Sequence, residues 1–401
     1  MAKRRAHGEG SISQRKNGTW YARYTAGFDP GTGKQIQKSV YGKTQKEVAQ
    51  MLKKITSALD EGTFIEPSKM TIGTWLDIWL SEYAKNAVKV GTFNMYTRHV
   101  NYYIKPRLAS IKLTALATHM IQTVYNDLLT TLSGKTVRNI HGILHKALEQ
   151  AVKLNYIKIN PSNACVLPRR VKPEIKPLEE QQITDFLQAM NGHKFEVLYM
   201  ITLFTGIRQS EALGLCWNCV DFDNGVITVE KQLLRNEKNS EYYVSSVKNS
   251  KKRLITPAPY LMKLLLEHRD RQTEASEVAA EAWVLPQAVK WVDDGQNWET
   301  ATLKTFNFVF TNELGEHLKH VTAYKNYKKL IEKTGVNARF HDMRHTYAVA
   351  AMQSGDIIAV QETLGHHSAA FTLDQYGHYT KKMRKQSAEY MESFIMGVQP
   401  S

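Results

Sequence analysis

The sequence predicts a multidomain protein: a small three-stranded β-sheet plus helix, then an all-α domain, then a mixed, mainly-α domain with a small antiparallel sheet. Three observations lead there. Near the N-terminus, alternating apolar residues are split by an Asn-Gly pair. From about residue 70 to 165 apolar residues recur at helical spacing. Beyond residue 178, helical stretches are interrupted by short strand signals. A chain of 401 residues can bury several cores, and its length suits two or three domains.

Ser11 to Arg15 and Thr19 to Phe28 read as strands joined through Lys16-Asn17-Gly18, a pair suited to a tight hairpin. Trp20, Ala22 and Tyr24 alternate with more polar neighbours, so one face is buried. Asp29-Pro30-Gly31-Thr32-Gly33 turns the chain into a third strand through Gln35 to Tyr41. Thr44 with Glu47 then makes a capping box for a helix ending near Asp60. Exposed Arg15, Lys16, Arg23, Lys34 and Lys38 would let such a sheet lay strands in a DNA groove, the alternative being a solvated basic face.

In the helical segment Thr71 or Thr74 caps a helix whose Trp75, Leu76, Trp79, Leu80 and Tyr83 form a core stripe. A second helix starts near Thr92 and carries Tyr96, Val100 and Tyr103 until Lys105-Pro106 ends it. Two more follow, near Met120 to Leu132 and Thr136 to Leu154. Lys135, Arg138, His141 and Lys146 on the last can touch phosphates or form a solvated stripe. Pro168 to Pro177, holding Arg169 and Arg170, is basic, proline-punctuated and expected to be an extended linker.

Further on, Glu179 to Met190, Lys194 to Phe204 and a stretch from Gly206 to Leu215 are helix candidates. Strand signals cover Gly225 to Leu233, Tyr242 to Val247 and Arg253 to Pro257, with Lys248-Asn249-Ser250-Lys251-Lys252 as a basic hairpin tip. Tyr260 to Ala282 is helical in pattern, and Asn307 to Thr311 reads as a short strand. Trp283 to Thr302 lacks clear periodicity and reads as an insertion without assigned function.

The formal charge is +15 and the pI about 9.4, favouring a polyanionic partner. The charge is clustered: the first sixty residues hold twelve Lys/Arg against four acids. Met1 to Arg5 is basic but no apolar stretch follows, and no run reaches membrane-spanning length, so a cytoplasmic protein is expected. Three cysteines, Cys165, Cys216 and Cys219, do not make a disulfide framework. The Cys216/Cys219 spacing resembles half a zinc site without its other half.

Six residues stand in an order that suggests metal-free cutting and rejoining of DNA: Arg208, Lys248, His341, Arg344, His366 and Tyr376. Guanidinium forks bind the non-bridging oxygens of a phosphodiester at fixed geometry and stay charged, so two arginines can stand in for metal ions. A tyrosyl oxygen can form a covalent phosphodiester intermediate.

Four ordered blocks carry a resemblance to the tyrosine recombinases, the family of phage and conjugative-transposon integrases. They are Thr205-Gly206-Ile207-Arg208-Gln209-Ser210-Glu211-Ala212-Leu213, Lys248, His341-Asp342-Met343-Arg344-His345-Thr346, and Leu364-Gly365-His366 leading to Tyr376-Gly377-His378. The resemblance implies an arm-type DNA-binding domain over 1–66, a core-binding domain over 69–167, a linker over 168–177, and a catalytic domain over 178–395 with a tail to 401. It implies that Arg208 and Arg344 bind the scissile phosphate, Lys248 protonates the leaving 5′ oxygen and His341 assists proton transfer. His366 then donates a hydrogen bond to the phosphate and Tyr376 is the nucleophile. No cofactor is implied. The implied partners are double-stranded DNA, a homotetramer in the synaptic complex and an excision factor, with no membrane. Glu211 is expected to buttress Arg208, and Asp342 to do similar work.

Alternatives remain at this stage. Tyr379 competes with Tyr376, although Tyr376 lies in the family's Tyr-x-His pattern; the interval from His366 is one residue longer than the commonest spacing. His367 competes with His366, and Lys251 or Lys252 with Lys248. His341 and His345 have the spacing of two zinc ligands on one helix, but Asp342 stands where that motif needs glutamate. A non-catalytic DNA-binding regulator fits the charge but leaves Arg208, Arg344 and Tyr376 together unexplained.

Overall fold

The computed structural model describes residues 11–28, 32–60, 70–171, 176–247, 251–292, 298–352 and 356–365, with 368, 370 and 373 beyond them. The chain divides into two compact units, Met1–Ala84 with Met95–Val171, and Lys85–Asn94 with Lys172–Ser401.

In the first unit β1 (Ser11–Gln14), β2 (Trp20–Phe28) and β3 (Gln35–Gly42) form an antiparallel sheet in that order. Helix α1 (Gln45–Asp60) covers one face, packing Val48 and Leu52 on Ala22 and Tyr24. The Thr44 hydroxyl accepts from the Glu47 N–H at 3.2 Å. The Glu47 carboxylate reaches back to the Lys43 N–H at 2.9 Å, one residue earlier than a capping box would have it. Arg15, Lys16, Arg23 and Lys34 are exposed. Lys38 differs from expectation. It pairs with Tyr24 across the ladder, which puts it on the face α1 covers, and it is half-buried.

The helices of this unit hold the predicted core stripe. α2 (Ile72–Ile78) is capped by Thr71, which accepts from the Thr74 N–H at 3.3 Å, and runs on as a π-helical turn, Trp79–Ala84. The Trp75 indole N–H donates to the Ala147 carbonyl at 2.9 Å. After α3 (Val90–His99), of which Met95–His99 belong to this unit, the chain continues through a π-helical stretch, Val100–Ile104, into α4 (Lys105–Leu108). Pro106 therefore does not end the helix. It occupies the first turn of a new stretch, where its missing N–H costs nothing. α5 (Thr118–Leu129) and α6 (Gly134–Lys153) follow, with the Ser133 hydroxyl accepting from the Thr136 N–H. On α6 only part of the basic stripe is open. Arg138 Nε donates to the Pro168 carbonyl at 2.6 Å, and the His141 ring lies 3.1 Å from the Tyr125 hydroxyl. Lys146 Nζ donates to the Tyr96 hydroxyl, while Lys135 is exposed. Arg169 and Arg170 are exposed as well.

In the second unit α7 (Glu180–Met190), α8 (Glu196–Thr205) and α9 (Gln209–Leu213) precede five strands. These are β4 (Val220–Asp221), β5 (Val226–Val229), β6 (Lys231–Arg235), β7 (Tyr242–Ser246) and β8 (Arg253–Ile255). α10 (Pro259–Ala279), β9 (Gln287–Val292), β10 (Thr302–Phe306), α11 (His320–Lys333), α12 (Asp342–Met352) and α13 (Ile357–Leu364) complete it. One small antiparallel sheet was expected, whereas the strands form two: β10-β9-β7-β6, in which β7 and β9 run parallel, and β4-β5-β8. The run from Gly225 to Leu233 breaks at Glu230 because its two halves join different sheets. The strands flanking Lys248 also lie in different sheets, so the loop between them is a crossover and not a hairpin tip.

Asn307 to Thr311 forms only isolated bridges, although Phe308 and Val309 are fully buried. The aperiodic tryptophan region supplies the β9–β10 pair. There Lys304 Nζ lies 4.5 Å from the Trp291 ring and Lys290 Nζ 4.3 Å from that of Trp298. The core runs from Phe186 and Tyr199 to Tyr327 and Phe340, each such side chain contributing about 1.5–3 kcal/mol on burial. The Tyr199 and Tyr327 hydroxyls donate to the carbonyls of Ala323 and Arg339.

Candidate active site

The site is built where α8 stops. Gly206 ends that helix in the left-handed region, φ +65°, and a Cβ there would stand 2.5 Å from Tyr347 Cδ1 and 2.8 Å from Leu364 Cδ2. Only glycine allows the close approach of α12 and α13. Two residues on, Arg208 occupies the N-cap of α9 with extended backbone.

Glu211 holds Arg208 in place. Its Oε2 accepts from the Arg208 N–H at 3.0 Å and its Oε1 from Arg208 Nη1 at 2.7 Å. The same carboxylate accepts from Arg253 Nη1 at 3.1 Å and Nη2 at 2.5 Å, and is only 1% exposed. Burial alone would raise its pKa, but Arg253 first and Arg208 second outweigh it and hold the carboxyl down at about 2. Arg208 keeps 30% of its side chain exposed, leaving part of the guanidinium open to an anion.

Arg344, one turn into α12, is 2% exposed and donates Nη1 to the Gly206 carbonyl at 2.7 Å and Nη2 to the Leu364 carbonyl at 2.5 Å. His341 stands just before α12, exposed on one side. Its imidazole is pushed down to about 4 by the protein packed around it, then by His345, Arg344 and Arg208, with Asp342 opposing. It is neutral at pH 7 and able to accept a proton. The Arg344 N–H donates to the His341 carbonyl at 3.1 Å while its guanidinium reaches the Gly206 carbonyl, two residues before Arg208.

Asp342 buttresses Arg339 instead of a predicted site arginine. Its carboxylate takes the Arg339 backbone N–H at 2.7 Å and Arg339 Nη2 at 2.7 Å. Lys252 Nζ pairs with Glu230 at 2.7 Å. Lys248, His366, His367, Tyr376 and Tyr379 lie outside the described residues. Arg253 went unnoticed in the sequence, lying in a Lys-Lys-Arg run whose spacing shows nothing of Glu211.

The histidine pair on α12 has ring centroids 4.8 Å apart and planes at 88°, and among the described residues no three His, Cys, Asp or Glu gather to hold a metal ion. Cys216 and Cys219 are buried. The Cys216 thiol is pushed up to about 12, chiefly by burial, and Cys219 Sγ lies 3.3 Å from Lys231 Nζ.

The structure thus joins two arginines, Arg344 bonded to the Gly206 carbonyl and Arg208 held by Glu211 two residues beyond that glycine, with His341 just before α12. Comparison with known proteins identifies the family. The chain belongs to the phage integrase family, whose model matches residues 176–383, just over half its length; the phage integrase N-terminal SAM-like domain matches residues 71–129. It is similar to the tyrosine recombinase XerC-like protein of Caldanaerobacter subterraneus subsp. tengcongensis, 29% identical over 95% of this chain and 98% of that one. It is also similar to the ICEBs1 integrase of Bacillus subtilis strain 168, at 23% identity over 96% and 100% of the two chains. Among solved structures, the Tn1549 transposon integrase in complex with a circular intermediate DNA has the same fold. Its TM-score is 0.64 at 24% identity, covering 80% of this chain and all of that one. A lambda integrase dimer bound to a COC′ core site gives 0.54 at 16% identity, over 93% and 97%. The protein is a site-specific DNA recombinase of the tyrosine type, with the pattern of a mobile-element integrase.

Proposed function

We propose that it cuts and rejoins DNA through a 3′-phosphotyrosyl intermediate, for integration and excision of a mobile element. Arg208 and Arg344 grip the non-bridging oxygens of the scissile phosphate, and His366 donates to the same group. Tyr376 attacks phosphorus as His341 takes the phenolic proton. The P–O5′ bond breaks and Lys248 gives its proton to the leaving oxygen. A 5′ hydroxyl from the partner duplex then reverses the sequence, so bond energy is retained and no nucleotide is consumed. The observation that carries this reading is that Arg344 is bonded to the Gly206 turn from which Arg208 springs, with Arg208 itself fixed by Glu211, beside a neutral His341.

The domain assignment follows the same reading: residues 1–66 bind arm-type DNA, 69–167 bind core DNA, 168–177 link, and 178–395 catalyse, with a tail to 401. Arg15, Lys16, Arg23, Lys34, Arg169 and Arg170 contribute phosphate contacts, and the half-buried Lys38 and Arg138 less so. Double-stranded DNA is the substrate, in the cytoplasm that holds it. A homotetramer assembles on two duplexes, in line with the lambda integrase tetramer bound to a Holliday junction, and a small excision factor is a further partner of this reading.

The test is a nicked duplex from the element's end, incubated in EDTA with wild type, Tyr376→Phe and Tyr379→Phe. A denaturation-resistant adduct lost only in Tyr376→Phe is expected. Loss only in Tyr379→Phe moves the nucleophile, and no adduct from wild type despite tight DNA binding overturns strand transfer.

A further inference from the structure

We propose that Arg253 is a positioning residue for strand transfer, setting Arg208 through Glu211 and tying both to the end of α13. The proposal rests on the reading of Arg208 as a phosphate-binding group.

The geometry makes Arg253 a three-way junction. Nη1 and Nη2 take the two oxygens of Glu211, while Nε donates to the Thr363 carbonyl at 2.7 Å. The side chain is 8% exposed. Thr363 and Leu364 are the last residues of α13, and their carbonyls are claimed by different arginines, Arg253 and Arg344. Gly365 follows at φ +63°, and a Cβ there would stand 3.1 Å from Arg253 Cδ, so the helix end lies directly against this side chain. The next residue is His366. In the other direction Arg253 opens β8, five residues beyond Lys248. One guanidinium thus joins the strand after the lysine, the carboxylate behind the first phosphate arginine, and the helix end before the second histidine.

The chemistry explains why arginine is used. A planar fork spans both carboxylate oxygens and still presents Nε to a third acceptor, whereas an ammonium offers one point of charge. Within the described residues Glu211 is faced by Arg208 from the start of α9 and by Arg253 from β8. Loss of Arg253 leaves a carboxylate buried with one cation. Desolvation then favours its protonation, and a neutral Glu211 no longer holds Nη1 of Arg208 as tightly.

The test uses the full chain and the nicked substrate, with wild type, Arg253→Lys, Arg253→Ala and Tyr376→Phe as the blank. Adduct formation is timed at saturating DNA across about pH 5.5 to 8.5, alongside DNA affinity and thermal melting. Arg253→Ala is expected to form adduct about 10²-fold more slowly, the scale of a small misplacement, with DNA affinity unchanged. Its deficit relative to wild type should shrink as pH rises and Glu211 ionises. Arg253→Lys keeps the charge, so it should fold if Arg253→Ala does not. It should be slowed by less, and its deficit should not vary with pH. Wild-type rates in a folded Arg253→Lys or Arg253→Ala overturn the proposal and leave strand transfer standing, as does a loss that merely follows weaker DNA binding. No adduct from wild type removes both readings.

Discussion

Arg344 Nη1 donates to the carbonyl of Gly206 at 2.7 Å, so an arginine of α12 is bonded to the turn from which Arg208 springs. The spacing of the two guanidiniums is therefore set by backbone and by buried contacts. A donor pair fixed before the anion arrives needs little reorganisation when charge develops on it.

The turn itself is the weak point. Gly206→Ala puts a Cβ 2.5 Å from the Tyr347 ring at φ +65°, so strain and overpacking add. A loss of at least about 2 kcal/mol is expected, read as a lower urea midpoint at unchanged slope. Adduct formation should fall even where the variant remains folded. A midpoint like that of wild type would mean that α12 and α13 can move aside freely.

The N-terminal sheet makes its own prediction. Arg23 lies across the ladder from Ser11 and Ser39, on the face opposite Ala22 and Tyr24, and Arg15 stacks 4.7 Å above the Tyr41 ring on that same open face. Lys38 lies on the covered face. If the open face meets DNA as proposed, Arg23→Ala should reduce the salt dependence of DNA binding by about one unit of log–log slope. Lys38→Ala should change it less. Equal effects would argue that the open face is not the one that meets DNA.

Acid should weaken the second unit before its carboxylates titrate. His320 is pushed down to about 4, by burial first and then by His317, and His268 and His317 are lowered chiefly by burial. Each binds a proton more readily when unfolded, where its pKa is about 6.5. Stability is thus fully present above about pH 6.5 and falls towards pH 4, by up to about 1.4 kcal/mol per pH unit for each site. The stabilisation from Glu211, whose carboxyl is held down at about 2, is fully present above its unfolded pKa of about 4.3 and is lost only as pH falls below it. Urea unfolding at successive pH values reads this, and His320→Gln should flatten the profile. A wild-type profile already flat from neutral pH to pH 5 would refute it.

Local patterns in the sequence carried much of the fold. The Asn17-Gly18 hairpin, the Trp75/Trp79 stripe and the caps at Thr71 and Thr44 depend on neighbours within a few residues, and they stand where periodicity puts them. Lys38 was misplaced because side-chain parity on β3 is set by its register with β2, which spacing along β3 alone does not fix. The β9–β10 pair was illegible because its parallel partner β7 is distant in sequence and its tryptophans stack on lysines. At the site, Arg208 and Arg344 were readable from two short blocks. Arg253 was not, because Glu211 lies 42 residues away and nothing in a basic run distinguishes an inward-facing member.

Residues Lys85–Asn94 fold with the second unit. Val90 fills an apolar site with Tyr243 and Val292, Lys85 pairs with Glu299 at 2.7 Å, and Asn94 Nδ2 donates to Asn236 Oδ1 at 3.0 Å. A fragment beginning after Val171 would thus start without a strap of its own structure, with the Tyr243 pocket empty and greasy. A fragment meant to keep the second unit whole must therefore carry Lys85–Asn94 and cannot begin at the proline-rich stretch that looks like the seam.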